Sequence, residues 1–231
     1  VLPPLFPGMV HIKILNNMNK WVTINDDINI EQKIFKDNDC INFLKEFSDK
    51  NNIDILKYYL SESDGRFKSD IWRLCILHEY GGLYVDIDQE PLVKISEYID
   101  LEKVDFCASS SMFRDNISNG FLYAKKGSNI MMKSIVESIR RYDNRLHIGG
   151  TWVMGKVIED LTNDTTMPIG NIKIEEENCL FLQEIGDYSI PEGIEHYNSF
   201  GIFTKDGKRV MNSRYSTYKN DVFDRQNFIE I

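Results

Sequence analysis

The chain has 231 residues, of which 42% are hydrophobic and 27% are charged. That balance excludes a wholly disordered protein and is typical of a globular one. The formal net charge is −9, which argues against a protein that wraps nucleic acid, because neutralising phosphates requires a basic surface. The composition therefore predicts a folded domain with no nucleic-acid partner.

Hydropathy and cysteine spacing bear on the compartment in which the chain folds. No apolar stretch is long enough to span a bilayer, and the first residues lack the basic and apolar regions of a signal peptide. The cysteines are widely scattered and lack the spacing of a zinc site, which favours reduced, buried thiols at Cys40, Cys75, Cys107 and Cys179. We therefore expect a cytoplasmic chain without a membrane segment.

The first sixty residues predict two strands and two helices. Short alternations of apolar and polar residues predict strands near residues 10–15 and 21–24. Apolar residues at helical spacing predict helices over residues 39–47 and 53–60.

The next segment predicts a buried helix followed by a strand. The helix covers residues 68–80, with Ser69 as its N-cap, and the glycine pair at 81–82 ends it. The strand covers residues 83–88. It is expected to end before Pro91, because proline cannot donate a hydrogen bond to a strand ladder.

Later elements alternate between strand and helix. Strands are predicted over 104–108, 120–124, 172–174, 179–182 and 201–204, and helices over 129–141 and 151–161. Such alternation predicts an α/β fold with a mainly parallel central sheet flanked by helices. We expect a single domain over residues 1–231.

Asp86 and Asp88 are the best candidates for a metal site. Two residues apart on a strand, their carboxylates project from one face, about 6–7 Å apart along the chain. Oxygen ligands of this kind suit Mg²⁺ or Mn²⁺ rather than zinc, and a cation between two close carboxylates lets both stay ionised. Strands that simply end in exposed aspartates carry the same pattern, so the pair does not decide the function by itself.

A wider pattern surrounds the two aspartates. On the preceding helix, Asp70 and Arg73 are three residues apart and share one face. The run reads S-D-x-x-R from Ser69, then Y-G-G-x-Y-x-D-x-D from Tyr80 to Asp88. This combination resembles the DXD-containing sugar-transfer enzymes of glycosyltransferase family 32, which include yeast initiating mannosyltransferases. It is similar as well to the glucosyltransferase domain of the large clostridial toxins.

The resemblance implies a GT-A-like fold, a nucleotide-diphosphate sugar as donor and a divalent metal, Mn²⁺ or Mg²⁺. It implies a nucleotide-sugar and metal site around residues 68–92, with the acceptor side and C-terminal closure in residues 110–231. The donor would be a UDP- or GDP-sugar, the transferred group a hexose, and the acceptor a glycan, a protein or a small molecule. Retention of anomeric configuration follows from the same analogy.

By motif position, the resemblance also implies individual roles. Asp88 ligates the metal, and Asp86 supports the metal while it binds ribose or sugar hydroxyls. Asp70 and Arg73 hold sugar hydroxyls and shape the donor pocket. Tyr84 lines the nucleotide pocket.

Further candidate residues come from later segments. Asn119 lies in a stretch that resembles another strand of the family, and the resemblance places it beside the transferred sugar as a catalytic residue. His196 and Asn212 are the two candidates for a further metal ligand. We favour Asn212, because Ser213 and Tyr215 adjoin it in a compact polar group that can meet a diphosphate.

Two other functions remain open on the sequence. The N-terminal segment departs from the opening strand of the family, which leaves room for a non-catalytic module that binds a nucleotide sugar or a glycan. Haloacid-dehalogenase-type phosphatases also place D-x-D after an apolar strand. They require threonine or valine two residues after the second aspartate, where this chain has Glu90, so a metal-dependent phosphatase is the weaker alternative.

Overall fold

The computed structural model describes residues 9–87, 89–111, 116–146, 150–186, 199–214 and 228–230. The helices in these ranges are α1 Ile12–Ile24, α2 Asp37–Asn51, α3 Ile55–Ser61, α4 Gly65–Tyr80, α5 Asn129–Asp143 and α6 Gly150–Thr162. The strands are β1 Met9–His11, β2 Gly82–Val85, β3 Gln89–Pro91, β4 Phe106–Ser110, β5 Ile117–Ala124, β6 Gly170–Ile174, β7 Glu177–Gly186, β8 Ser199–Phe203, β9 Arg209–Arg214 and β10 Phe228–Glu230. The fold is mixed α/β, as predicted.

The N-terminal segment is mostly helical. β1 pairs with β10, and α1 begins directly after β1. The predictions of strands over 10–15 and 21–24 are therefore wrong for most of these residues. Ile14 and Trp21 are buried seven residues apart, on the same face of a helix rather than in an alternating strand.

The predicted helices between residues 39 and 161 are all confirmed, with one correction at the start of α4. Asp64, not Ser69, is the N-cap, since its carboxylate accepts a hydrogen bond from the backbone amide of Arg66 at 2.9 Å. Ser69 lies inside the helix, where its hydroxyl donates to the carbonyl oxygen of Arg66. The end of α4 is as predicted, because Gly81 has φ 71°, and a Cβ there would lie 2.6 Å from the backbone nitrogen of Lys126.

The main sheet has the strand order β2–β5–β4–β7–β8–β9–β3, and β6 pairs with β7 beside this path. Among the described strands of this sheet, β4 and β7 pair in parallel, and the other neighbouring pairs are antiparallel. The prediction of a mainly parallel sheet is therefore wrong. Pairs such as β6–β7 and β8–β9 are joined by short turns, which connect antiparallel strands without a helical crossover.

The strand predicted over residues 83–88 is shorter in the structure, and the segment after it forms a separate strand. β2 ends at Val85, so Asp86 lies just beyond the strand. The segment around Pro91 is not a terminator but an edge strand of its own, which pairs with β9 in the register Gln89 with Ser213. An edge is where a sheet tolerates proline.

Hydrophobic clusters cover both faces of the sheet. On β4, Phe106 and Ala108 belong to a cluster with α2–α6, whereas Cys107 belongs to a second cluster with Trp21 of α1. The sheet is thus flanked by helices, as predicted.

The four cysteines are free thiols. Within the described part of the chain, no helix is long and apolar enough to cross a membrane.

Candidate active site

Arg73 lies at the centre of a buried polar cluster, with its side chain only 5% exposed. Its Nη2 atom lies 3.1 Å from Asp70 Oδ1, and its Nη1 atom lies 3.5 Å from Asp86 Oδ1. Nη1 also donates to the backbone carbonyl oxygen of Asn119 at 2.5 Å, and Nη2 donates to Ser69 Oγ at 2.8 Å. One guanidinium therefore connects α4, the end of β2 and β5.

The Asp70 carboxylate is oriented from two further elements. Its Oδ1 accepts a hydrogen bond from Asn119 Nδ2 on β5 at 2.7 Å, and its Oδ2 accepts one from the backbone amide of Gly150 at 2.8 Å. Burial raises the pKa of the Asp70 carboxyl, while the charge of Arg73 and the two hydrogen bonds act in the opposite direction. The carboxylate is therefore held in one orientation, with its side chain 13% exposed.

Tyr84 supports both Arg73 and Asp86. Its ring lies beneath the guanidinium, with 4.4 Å between Arg73 Cζ and the ring centroid, and its hydroxyl donates to Asp86 Oδ1 at 2.7 Å. Burial raises the pKa of Tyr84 well above its usual value, so the phenol remains a hydrogen-bond donor at neutral pH. The Asp86 side chain is 36% exposed, which makes its carboxylate accessible to a ligand.

An irregularity in β5 brings Asn119 to this cluster. The pairing of β4 with β5 shifts between Ala108 and Ser109, and residues 119–121 of β5 have no partner residue on β4. Such bulges redirect side chains and are common beside active sites. Here the bulge presents the amide and carbonyl of Asn119 to α4, while the carbonyl of Gly120 accepts a hydrogen bond from the Asp86 backbone amide at 2.7 Å.

Two glycines allow the elements of the site to approach. A Cβ on Gly120 would lie 3.0 Å from both Asp86 Oδ2 and Gln89 Nε2. A Cβ on Gly150 would overlap the amide nitrogen of Asn119. Side chains larger than glycine would therefore displace the polar groups of the site.

The structure thus brings five of the predicted site residues together: Asp70, Arg73, Tyr84, Asp86 and Asn119. Three others lie outside the described residues: Asp88, His196 and Tyr215. Ser213 is described only through its backbone, opposite Gln89. Asn212 Nδ2 donates to Glu90 Oε2 at 3.1 Å, which places this side chain at the β3–β9 edge. The roles of all these residues stay predictions.

The chemistry around Asp86 fits a hard divalent cation. Two carboxylates, Asp70 and Asp86, face the single guanidinium of Arg73, so negative charge is in excess. The amide oxygen of Gln89 is buried and has no hydrogen-bond partner within the described ranges. Mg²⁺ and Mn²⁺ prefer oxygen ligands, and Mg²⁺ is often bound by one or two carboxylates plus substrate phosphates.

The described residues do not by themselves complete a metal site. They contain no group of three or more acidic, histidine or cysteine side chains arranged to hold an ion. Asp86 would hold the cation through its accessible carboxylate, and further ligands would come from Asp88 or from the phosphates of a donor.

Sequence reasoning missed two buried side chains near the site, Asn17 and Gln89. Both are more than nine-tenths buried, and Asn17 Nδ2 donates to the backbone carbonyl of Gln89 at 2.8 Å. A helical reading of residues 12–24 would have placed Asn17 on the same face as Ile14 and Trp21, and so have marked it as buried.

The comparisons with known proteins bear on this geometry. Residues 13–105 match the family described as the glycosyltransferase sugar-binding region containing the DXD motif. The resemblance to DXD-containing glycosyltransferases is confirmed. The narrower assignment to glycosyltransferase family 32 stays a prediction. The matched region includes Asp70, Arg73, Tyr84 and Asp86 but ends before Asn119.

Comparison with curated proteins gives no match. Among solved structures, the chain is similar to one titled PaToxG Glycosyltransferase, with 17% identity, a TM-score of 0.49 and coverage of 65% of this chain. The match spans 63% of the other chain, which is less than two thirds of its length.

Proposed function

We propose that the chain is a metal-dependent glycosyltransferase that moves a hexose from a UDP- or GDP-sugar to a glycan, protein or small-molecule acceptor. The observation that carries the proposal is the pairing of Asp70 and Asp86 with the two terminal nitrogens of one buried guanidinium, that of Arg73. The family match supports it, since all three residues lie within the matched region. The excess of carboxylates supports Mn²⁺ or Mg²⁺ as cofactor.

In this proposal, Asp86 lies on the side of the site that binds the nucleotide diphosphate of the donor. Tyr84 holds its Oδ1, which leaves Oδ2 for a cation or a ribose hydroxyl. Asp86 and Asp88 would hold the metal, which when bound supplies Lewis-acid neutralisation of the charge on the departing nucleotide diphosphate.

Asp70 and Asn119 are the groups that meet the sugar. Asp70 Oδ1 faces both Asn119 and Arg73, whereas Oδ2 accepts a hydrogen bond from the Gly150 amide. A carboxylate oxygen has more than one lone pair, so Asp70 can also accept from a sugar hydroxyl. Arg73 fixes both carboxylates. Its donors are engaged by these carboxylates, by Ser69 and by Asn119, so in this proposal it acts on the sugar through Asp70. Because Arg73 is anchored by Ser69 and Asn119, the carboxylates are oriented before the donor arrives.

The finer features of the proposal rest on the family analogy. They are retention of anomeric configuration and a single GT-A-like domain over residues 1–231. Asn212, with Ser213 and Tyr215, would contact the diphosphate or the metal, and His196 is the other candidate ligand. A cytoplasmic setting is supported by the free thiols.

A panel of UDP- and GDP-sugars incubated with Mn²⁺ tests the proposal, with release of free nucleotide diphosphate as the readout. We expect the parent chain to cleave one donor, slowly and without an acceptor, and chelation by EDTA to stop it. Asp86→Asn and Asp88→Asn should each reduce cleavage by about a hundredfold or more, since both keep the side-chain shape but lose the charge. Asp49→Asn is the matched control, because Asp49 is exposed on α2.

Other outcomes point to other functions. Donor binding without cleavage in the presence of Mn²⁺ would indicate a binding module. Phosphate release from simple phosphate esters, unaffected by nucleotide sugars, would indicate a phosphatase.

Tyr84→Phe should weaken catalysis without unfolding the chain. The ring stays beneath Arg73, but the hydrogen bond to Asp86 Oδ1 is lost. A hydrogen bond to a charged group contributes about 1.5–3 kcal/mol, so we expect donor turnover to fall by about tenfold or more. Steady-state kcat and KM, with the thermal midpoint measured in parallel, check this. Tyr80→Phe, an exposed tyrosine at the end of α4, should leave turnover unchanged.

A further inference from the structure

One face of α1 combines apolar side chains with buried amides. Ile14, Asn17 and Trp21 lie on this face, and Asn25 directly follows the helix. They follow each other at intervals of three or four residues, and each is at least nine-tenths buried. Buried amides on a helix face are uncommon unless they satisfy polar groups elsewhere. The hydrogen-bond partners of these side chains therefore indicate the role of this face of α1.

Asn17 and Trp21 bind the backbone of Ile87 and Gln89, in the connection between β2 and β3 that we call the D-x-D turn. Asn17 Nδ2 donates to the carbonyl oxygens of Ile87 and Gln89, each at 2.8 Å, and Trp21 Nε1 donates to the same Gln89 oxygen at 2.9 Å. In the sequence, Ile87 and Gln89 flank Asp88. The two carbonyls on either side of the predicted metal ligand are thus held by one helix.

The other contacts of α1 make this clamp rigid. The Trp21 ring stacks on Phe121, in the bulged part of β5, with 6.0 Å between ring centroids and 24° between ring planes. Asn25 Nδ2 donates to the Trp21 carbonyl at 2.7 Å, and Asn25 Oδ1 accepts from the backbone amide of Ile95 at 2.6 Å. The C-terminal end of α1 is therefore anchored to β5 and to the backbone of Ile95.

The described residues between β2 and β3 take part of their support from α1. β2 ends at Val85 and β3 begins at Gln89, so Asp86 and Ile87 belong to neither strand. Inside the turn, the Gln89 amide donates to the Asp86 carbonyl at 3.0 Å. The carbonyls of Ile87 and Gln89 face α1 instead, where Asn17 supplies a hydrogen bond to each.

We propose that Asn17 is a positioning residue for the metal site, acting through the D-x-D turn that it clamps together with Trp21. This inference rests on the proposed function, because Asn17 can position a metal site only if the D-x-D turn binds a metal. Some residues do not touch the metal but orient the groups that bind it. Removing such a residue typically lowers metal affinity by about 10–100-fold.

Metal affinity tests the proposal without relying on turnover. Mn²⁺ is titrated into each variant with UDP present and again with GDP present, and free Mn²⁺ is followed by electron paramagnetic resonance. Asn17→Ala should raise the apparent Kd for Mn²⁺ by about tenfold or more. Asn16→Ala is the matched control, because Asn16 is the adjacent asparagine of the same helix and is exposed. It should bind Mn²⁺ as the parent does.

Trp21→Phe gives a second, milder test. It keeps an aromatic ring against Phe121 but removes the indole donor to the Gln89 carbonyl, so the apparent Kd should rise less than in Asn17→Ala and in the same direction. A folded Asn17→Ala that binds Mn²⁺ like Asn16→Ala would overturn the proposal. If Asn17→Ala does not fold, parent-like affinity in Trp21→Phe overturns it. A parent chain that binds no Mn²⁺ with either nucleotide would overturn the proposed metal dependence, and the role of the clamp with it.

Discussion

Arg73→Ala should lower nucleotide-sugar turnover by about a thousandfold and the free energy of unfolding by about 3–5 kcal/mol. The substitution removes the cation between Asp70 and Asp86 and leaves the carbonyl oxygen of Asn119 without its donor. Removing one partner of a buried ion pair is strongly destabilising, because the remaining charge is left uncompensated. Donor cleavage and urea unfolding at pH 7 measure the two effects.

The loss of stability should depend on pH in a defined direction. Burial raises the pKa of Asp70 and the charge of Arg73 opposes that rise, so the pKa rises further in Arg73→Ala. A carboxyl with a raised pKa in the folded state binds more protons folded than unfolded, and its contribution to stability is lost as pH rises through the folded pKa. The difference in stability between variant and parent should therefore shrink as pH falls from 7 towards 4.

Two further variants separate charge from geometry. Arg73→Lys keeps the charge but lacks the planar fork that reaches two carboxylates and a carbonyl, so it should recover part of the stability and little of the turnover. Arg140→Ala is the matched control, since Arg140 pairs with Glu137 at the surface and is 52% exposed. If Arg73→Ala were no more destabilising than Arg140→Ala, the cluster would not hold the site together.

Gly150→Ala should lower turnover by about a hundredfold, although alanine normally favours a helix over glycine. The added methyl would overlap the Asn119 amide nitrogen and lie 2.8 Å from Asp70 Cγ. The backbone cannot easily retreat, because the Gly150 amide donates to Asp70 Oδ2. The methyl therefore displaces the two side chains proposed to meet the sugar, and overpacking costs about 1–3 kcal/mol of stability.

The comparison with Gly65→Ala isolates the local effect. Gly65 is the first residue of α4, as Gly150 is of α6, and is only partly buried. Alanine there should leave donor cleavage unchanged. Full activity in Gly150→Ala would show that α6 does not press on Asp70 and Asn119 as the structure indicates.

The part of the site that was predictable from the sequence is the part built from local spacing. Asp70 and Arg73 share a helix face at i and i+3. Tyr84 on β2 and Asp86 directly after that strand follow within a few residues of the end of the helix. Gly150 shows the limit, because its contact with Asp70 crosses 80 residues and uses a backbone amide, which no side-chain pattern encodes.

The error about the segment around Pro91 has the same origin. The pairing of β3 with β9 places Glu90 opposite Asn212. No local pattern near Pro91 predicts a strand whose partner lies so far along the chain. The N-terminal helix was hidden for another reason. Asn17 in α1 and Asn25 directly after it are buried but polar, so they interrupt the apolar stripe by which a helix face is recognised.

The distances along the chain also decide when the pocket can form during synthesis. Asn119 follows Arg73 by 46 residues, and Gly150 follows Asp70 by 80. A nascent chain or an expressed fragment that stops at residue 105, where the family match ends, carries the whole motif but neither the carbonyl that binds Arg73 nor the amide that binds Asp70. The signature by which the family is recognised is therefore not a portable module. Grafted or truncated at its own boundaries, it would keep its charges and lose the frame that orients them.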